Sequence, residues 1–114
     1  MVSVETFRNL SLSFPSTDEH PHFHRRAFRV KKRIFATLHI AENRAMLVLS
    51  PVDQSVYCDL DPGNIFPVPG GWGKKGCTLF NLQKVKTTIF KEALTLAYDT
   101  AVAKNSGGRK KKIV

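Results

Sequence analysis

The sequence is poor in the features that enzymes, secreted domains and membrane proteins usually display. Its two cysteines, Cys58 and Cys77, lie outside any C-x-x-C spacing, which suits reduced thiols and offers neither a disulfide framework nor a zinc knuckle. No apolar run nears the roughly 18 residues of a membrane span, and the start M-V-S-V-E-T-F lacks a basic stretch followed by an apolar one. A soluble, cytoplasmic protein with no membrane partner is expected. P-loop, dinucleotide fingerprint, H-E-x-x-H and G-x-S-x-G are all missing, so no catalytic residue, cofactor or small-molecule substrate is assigned and a non-enzymatic role is expected. Carboxylates are missing from two long stretches, Glu19 to Glu42 and Asp61 to Glu92.

What is present points to one small globular domain. A chain of 114 residues with 42% apolar content is long enough for a modest core and too short for two. The formal charge of +9 has two sources. Residues 104–114 carry five cations and no acid; the remainder keeps thirteen cations against nine acids, or +4. A domain over 1–104 with a flexible basic tail at 105–114 follows. The acid-free stretches of the domain would attract a polyanion by long-range field and counterion release. The competing reading is a merely solubilising surface.

Along the chain, Ser3 is placed to cap a first helix whose Val4, Phe7, Leu10 and Phe14 recur near helical spacing until Pro15. Ser16 to His24 reads as a polar loop. It holds His20, His22 and His24, but no second ligand set has matching spacing, and no metal is assigned. Arg26 to Lys31 and Arg33 to Ile40 alternate as a hairpin, with Ile34, Ala36, Leu38 and Ile40 inward and Phe35, Thr37 and His39 outward. Six of the nine residues from Arg25 to Arg33 are cationic. A basic face bearing Phe35 suits stacking and phosphate contact, while an aggregation-resistant edge hairpin is the competing reading. Ala45 to Ser50 reads as a central strand. Pro51 behind Ser50 begins a short helix with Val52, Val56, Tyr57 and Leu60 on its apolar side.

The stretch G-N-I-F-P-V-P-G-G-W-G-K-K-G-C-T-L-F-N-L then reads as strand, glycine-rich turn and returning strand, with Gly70, Gly71, Gly73 and Gly76 supplying turn conformations. Trp72, beside Lys74 and Lys75, is either a stacking surface or a lid folded over the core. From Thr88 to Lys104 apolar residues at 89/90, 93/94, 97/98 and 101/102 mark a helix with one core-facing side.

In this order L-S-F-P at Leu12 to Pro15, the W-G-K-K-G turn with its T-L-F-N-L strand, and A-Y-D in the last helix together resemble the MmcQ/YjbR family of small bacterial proteins, over residues 4–104. The chain departs from that pattern at Cys77, where many members carry an aromatic residue. The resemblance implies a CyaY-like (frataxin-like) α+β fold, with helices on one side of an antiparallel sheet of about five strands, in the order α-β-β-β-α-β-β-α. It also implies DNA binding, with DNA preferred to RNA, between two wings. On this chain the wings would be the hairpin centred on Lys31 and Lys32 and the loop bearing Trp72, Lys74 and Lys75. The expected contacts are Arg25, Arg26, Arg29, Lys31, Lys32, Arg33, Lys74 and Lys75, with Phe35 and Trp72 stacking. The alternative is a protein-interaction or housekeeping module.

Overall fold

A computed structural model describes residues 1–105; the remaining part of the expected basic tail lies outside the described residues. Ser3 begins α1 (Val4–Ser13) by accepting the Thr6 amide on its hydroxyl at 3.0 Å. Phe7 of this helix is fully buried, while Leu10 and Phe14 pack at the margin of the core. The chain then forms β1 (Thr17–His22), β2 (Arg25–Val30), β3 (Arg33–His39), a short 3-10 turn, and β4 (Arg44–Val48). Ser50 caps α2 (Pro51–Leu60), with Pro51 in its first turn. β5 (Ile65–Pro67), a one-turn α3 (Gly71–Lys74), β6 (Cys77–Asn81) and α4 (Thr87–Asn105) complete the described residues.

The six strands of the described residues make one antiparallel sheet in the order β1-β2-β3-β4-β6-β5, one strand more than expected. The extra strand is β1, in a segment whose polar, proline-bearing sequence reads as a loop. Pairing with a neighbour overrides that weak local preference. β1 follows β2 from Thr17 opposite Val30 to His22 opposite Arg25, and its acids lie opposite or near arginines. Asp18 meets Arg29 at 2.8 Å, while Glu19 meets Arg26 at 2.6 Å and Arg8 of α1 at 2.9 Å. Pro21 is tolerated because β1 is an edge strand.

One face of the sheet is sealed by helices. Phe7 of α1 sits with its ring 5.2 Å from Phe28 of β2 and 5.5 Å from Phe90 of α4, and Phe90 meets Phe80 of β6 edge-on. Such pairs add roughly 0.5–1.5 kcal/mol each beyond the area they bury.

Phe35 corrects the expected alternation. Phe28 pairs with Ala36 but Arg29 with Ile34, so Phe35 is the unpaired residue of a β-bulge. The bulge turns its ring into the helix-covered core, 5.6 Å from Tyr98 and 6.1 Å from Phe14, and it is fully buried. Phe35 is therefore a core residue. Ile40, expected inside, is half exposed in the turn after β3, and Thr37 is buried. On α2 only Tyr57 is buried, while Val52, Val56 and Leu60 face outward. No helix among the described residues is long and apolar enough to cross a membrane.

The glycine-rich turn is likewise more structured than its composition suggests. Gly70 and Gly76 have positive φ, whereas Gly73 is required for a close approach: a Cβ there would lie 1.9 Å from the Val68 carbonyl oxygen. A Cβ on Gly76 would lie 1.8 Å from the Leu49 carbonyl oxygen. Gly71 meets neither constraint. Gly73→Ala and Gly76→Ala should each destabilise the protein toward the upper end of the roughly 0.5–3 kcal/mol typical of single changes, measured by urea unfolding, whereas Gly71→Ala should be nearly neutral.

Glu19 ties β1 to both α1 and β2. Its partial burial opposes ionisation, but hydrogen bonds from Arg26 and Arg8 outweigh this and hold its carboxyl below the ordinary glutamate value. A depressed folded-state pKa adds stability above the unfolded value, lost as pH falls through the folded one. The stability difference between the native chain and Glu19→Gln should thus be full above about pH 5 and close as the pH drops below the ordinary glutamate value of about 4.3. Thermal unfolding across pH 3–7, in about unit steps, measures it.

Candidate functional site

Strand register assigns side chains to the sheet's second face. Arg25 and Arg29 of β2, Ile34 and Thr37 of β3, Met46 and Val48 of β4, and Cys77 and Leu79 of β6 all point away from α1 and α4. This face is a groove of about 800 Å³. Its floor is apolar, built from Ile34, Met46, Val48, Val68 and Cys77. Its margins bring together cations that are far apart in sequence: Arg25, Lys31, Lys32 and Arg33 from the β2–β3 hairpin, Lys75 after α3, and Lys104 near the end of α4. No carboxylate occurs among the described residues that line it. A smaller depression of about 280 Å³ continues the face past Thr37 and Met46 to Arg44, and there Glu42 pairs with Arg44 at 3.5 Å and limits the basic surface.

The Lys31-Lys32 turn has an unusual backbone. Both residues have positive φ, 49° and 70°, in a two-residue hairpin where Asn-Gly is the favoured pair. Side chains with a Cβ lose roughly 1–2 kcal/mol per residue in the left-handed helical region. The turn thus holds two ammonium groups at the groove at a cost in stability. Trp72 projects from α3 and is 67% exposed, which excludes the lid over the core. The Lys75 ammonium lies 5.1 Å from the centre of its ring. α2 braces this wall, because the Gln54 side-chain amide donates to the backbone oxygens of Gly73 and Cys77.

Seven of the ten residues singled out from the sequence divide clearly. Arg25, Lys31, Lys32, Arg33, Trp72 and Lys75 line one groove, and Phe35 lies beneath the opposite face. Arg29 shares the open face but is held by Asp18, and the hydrogen bond that Arg29 donates is the chief cause of the lowered Asp18 pKa. Arg26 points to the helix side and is paired with Glu19. Lys74 is exposed but is not a lining residue. Cys77, on the floor, is largely shielded, and burial pushes its thiol pKa up against the opposing charges of Lys104 and Lys75. Lys104 joins the lining without having been singled out, as does His22, weighed from the sequence only as a metal ligand. Lys104 gave no local signal: only the packing of a 19-residue helix across the sheet delivers it there.

The model of the family described as YjbR matches residues 12–100. The chain belongs to the YjbR family. This YjbR-family fold is also similar to the crystal structure of Deinococcus radiodurans protein DR2400, which carries a DUF419 domain. That match has a TM-score of 0.75 at 23% identity and covers 86% of this chain and 77% of the other. No curated protein matches the sequence. In this YjbR chain the L-S-F-P and A-Y-D segments have structural roles: Phe14 stacks on Tyr98 at 4.5 Å, and the Tyr98 hydroxyl donates to the Pro15 carbonyl.

Replacing the strained turn by Lys31→Asn with Lys32→Gly should raise the free energy of unfolding by about 1 kcal/mol or more. Urea or thermal unfolding against the native chain provides the measurement.

Proposed function

We propose that this protein is a non-enzymatic nucleic-acid-binding domain, with DNA as its ligand, and that the groove of the open sheet face is its binding surface. The observation that carries the reading is the convergence of Arg25, Lys31, Lys32, Arg33, Lys75 and Lys104 on one groove with no acid among its described lining residues. Phosphates lying along the margins would be neutralised by these cations, and the released counterions would drive association. The two segments expected as wings supply opposite sides of the surface. In this reading the contacts narrow to Arg25, Lys31, Lys32, Arg33, Lys75 and Lys104, with Trp72 beside them. Arg26 and Arg29 serve the fold through Glu19 and Asp18.

A protein-interaction role is the second reading, favoured by the outward apolar row Val52, Val56 and Leu60 on α2, each more than half exposed. A surface of this kind suits a protein partner better than a phosphate backbone.

Fluorescence anisotropy of labelled DNA across a salt series separates the two. The native chain and a chain with Arg109, Lys110, Lys111 and Lys112 all changed to Gln should both bind, with five or so phosphate contacts giving a log–log salt slope of about −3 to −5. Lys31→Glu with Lys75→Glu should weaken binding and reduce the slope by about 2. Binding that disappears on neutralising the tail alone, and ignores the groove substitutions, would assign the charge effect to the tail and favour the protein-partner reading.

A further inference from the structure

Which form of nucleic acid the groove accepts is constrained by three features of the surface, an argument that rests on the reading just proposed. The first is the width of the hairpin wing. A DNA major groove about 12 Å wide admits a two-stranded ribbon, but β1 pairs with β2 along its whole length, so the wing is three strands wide. Each strand adds roughly 4.8 Å before side chains are counted. The added strand also places Asp18 on the open face beside Arg29, where it would meet a duplex backbone laid along this edge.

The second feature is the floor. Ile34, Met46, Val48 and Val68 form an apolar base between cationic margins. Phosphates avoid such a surface, whereas the faces of unstacked bases bury well against it. A groove of about 800 Å³ falls within the range of pockets that hold small ligands rather than a duplex.

The third is a pair of exposed aromatic rings. Trp72 stands at one side of the groove beside Lys75. Phe23 stands at the tip of the β1–β2 hairpin, toward the other edge of the sheet, and is 92% exposed. Its φ of 58° is a conformation that bulky residues rarely adopt. The ring of His22, a groove-lining residue, meets it edge-on at 4.8 Å. Neither ring contributes to the core. Exposed rings flanked by cations form the platform on which single strands stack.

We infer that the groove binds a single-stranded segment of DNA, whose bases stack on Trp72 and Phe23 while Arg25, Lys31, Lys32 and Lys75 hold the backbone. Trp72 is the only tryptophan of the chain, so its fluorescence reports stacking directly.

The test compares three ligands with the full chain at about 0.1 M salt, where exposed charges are screened beyond roughly 10 Å: an oligothymidylate, the same oligomer with abasic sites, and a duplex of equal charge. The single strand should bind at least tenfold more tightly than either of the others and should alone quench Trp72. Trp72→Ala and Phe23→Ala, followed with a labelled oligomer, should each weaken single-strand binding roughly 5- to 100-fold without changing the salt slope. Duplex or abasic binding as tight as that of the single strand, with Lys31→Glu and Lys75→Glu still weakening it, would overturn the stacking inference and leave the binding surface standing. Failure of the full chain to bind any of the three would overturn both.

Discussion

The packing of Phe7 between Phe28 and Phe90 is the contact on which the rest of the architecture depends. It joins the first helix, the second strand and the last helix in one buried cluster, and Phe80 extends the cluster to the sixth strand. Because α1 and α4 are both drawn to the same face, no helix among the described residues covers the other. That asymmetry, more than the net charge, creates a candidate site. A basic surface on a convex protein is diffuse, whereas cations on the margins of a concave apolar sheet act on one ligand together.

Charge pairing commits Arg26 and Arg29 to the fold, while backbone strain marks Lys31 and Lys32. Arg26 and Arg29 are engaged by the two acids of β1, and their removal would loosen the edge strand. Lys31 and Lys32 occupy a turn that other residues would fill at lower cost. Backbone strain retained at a surface groove is a recognised mark of functional positions. Phe23 also has a positive φ, and its exposed ring adds nothing to the core.

The loop that carries Trp72 shows how the two sides of the groove are held in place. Gly73 and Gly76 allow the chain to pass against the carbonyls of Val68 and Leu49, and Gln54 of α2 fixes the loop through two backbone oxygens. Trp72 is therefore presented outward by a braced helical turn. Its exposure follows from the backbone path, and the aromatic ring contributes surface rather than core volume.

Elements with local signals are legible along the chain. Ser3 and Ser50 are read as helix caps and act as such, because capping depends on a hydroxyl and the next three amides. The central strand and the four-residue stripe of α4 are equally legible, since burial repeats with the period of the element. The family match over residues 12–100 agrees with the resemblance carried by those segments. Long-range packing sets what no local pattern encodes. β1 exists through pairing with β2, against its own composition; a single bulge turns Phe35 from the open face into the core; and the length of α4 brings Lys104 to the residues of the hairpin. In each case the deciding contact lies between segments distant in the chain, so the burial of a side chain was fixed by what packed against it rather than by its neighbours in sequence.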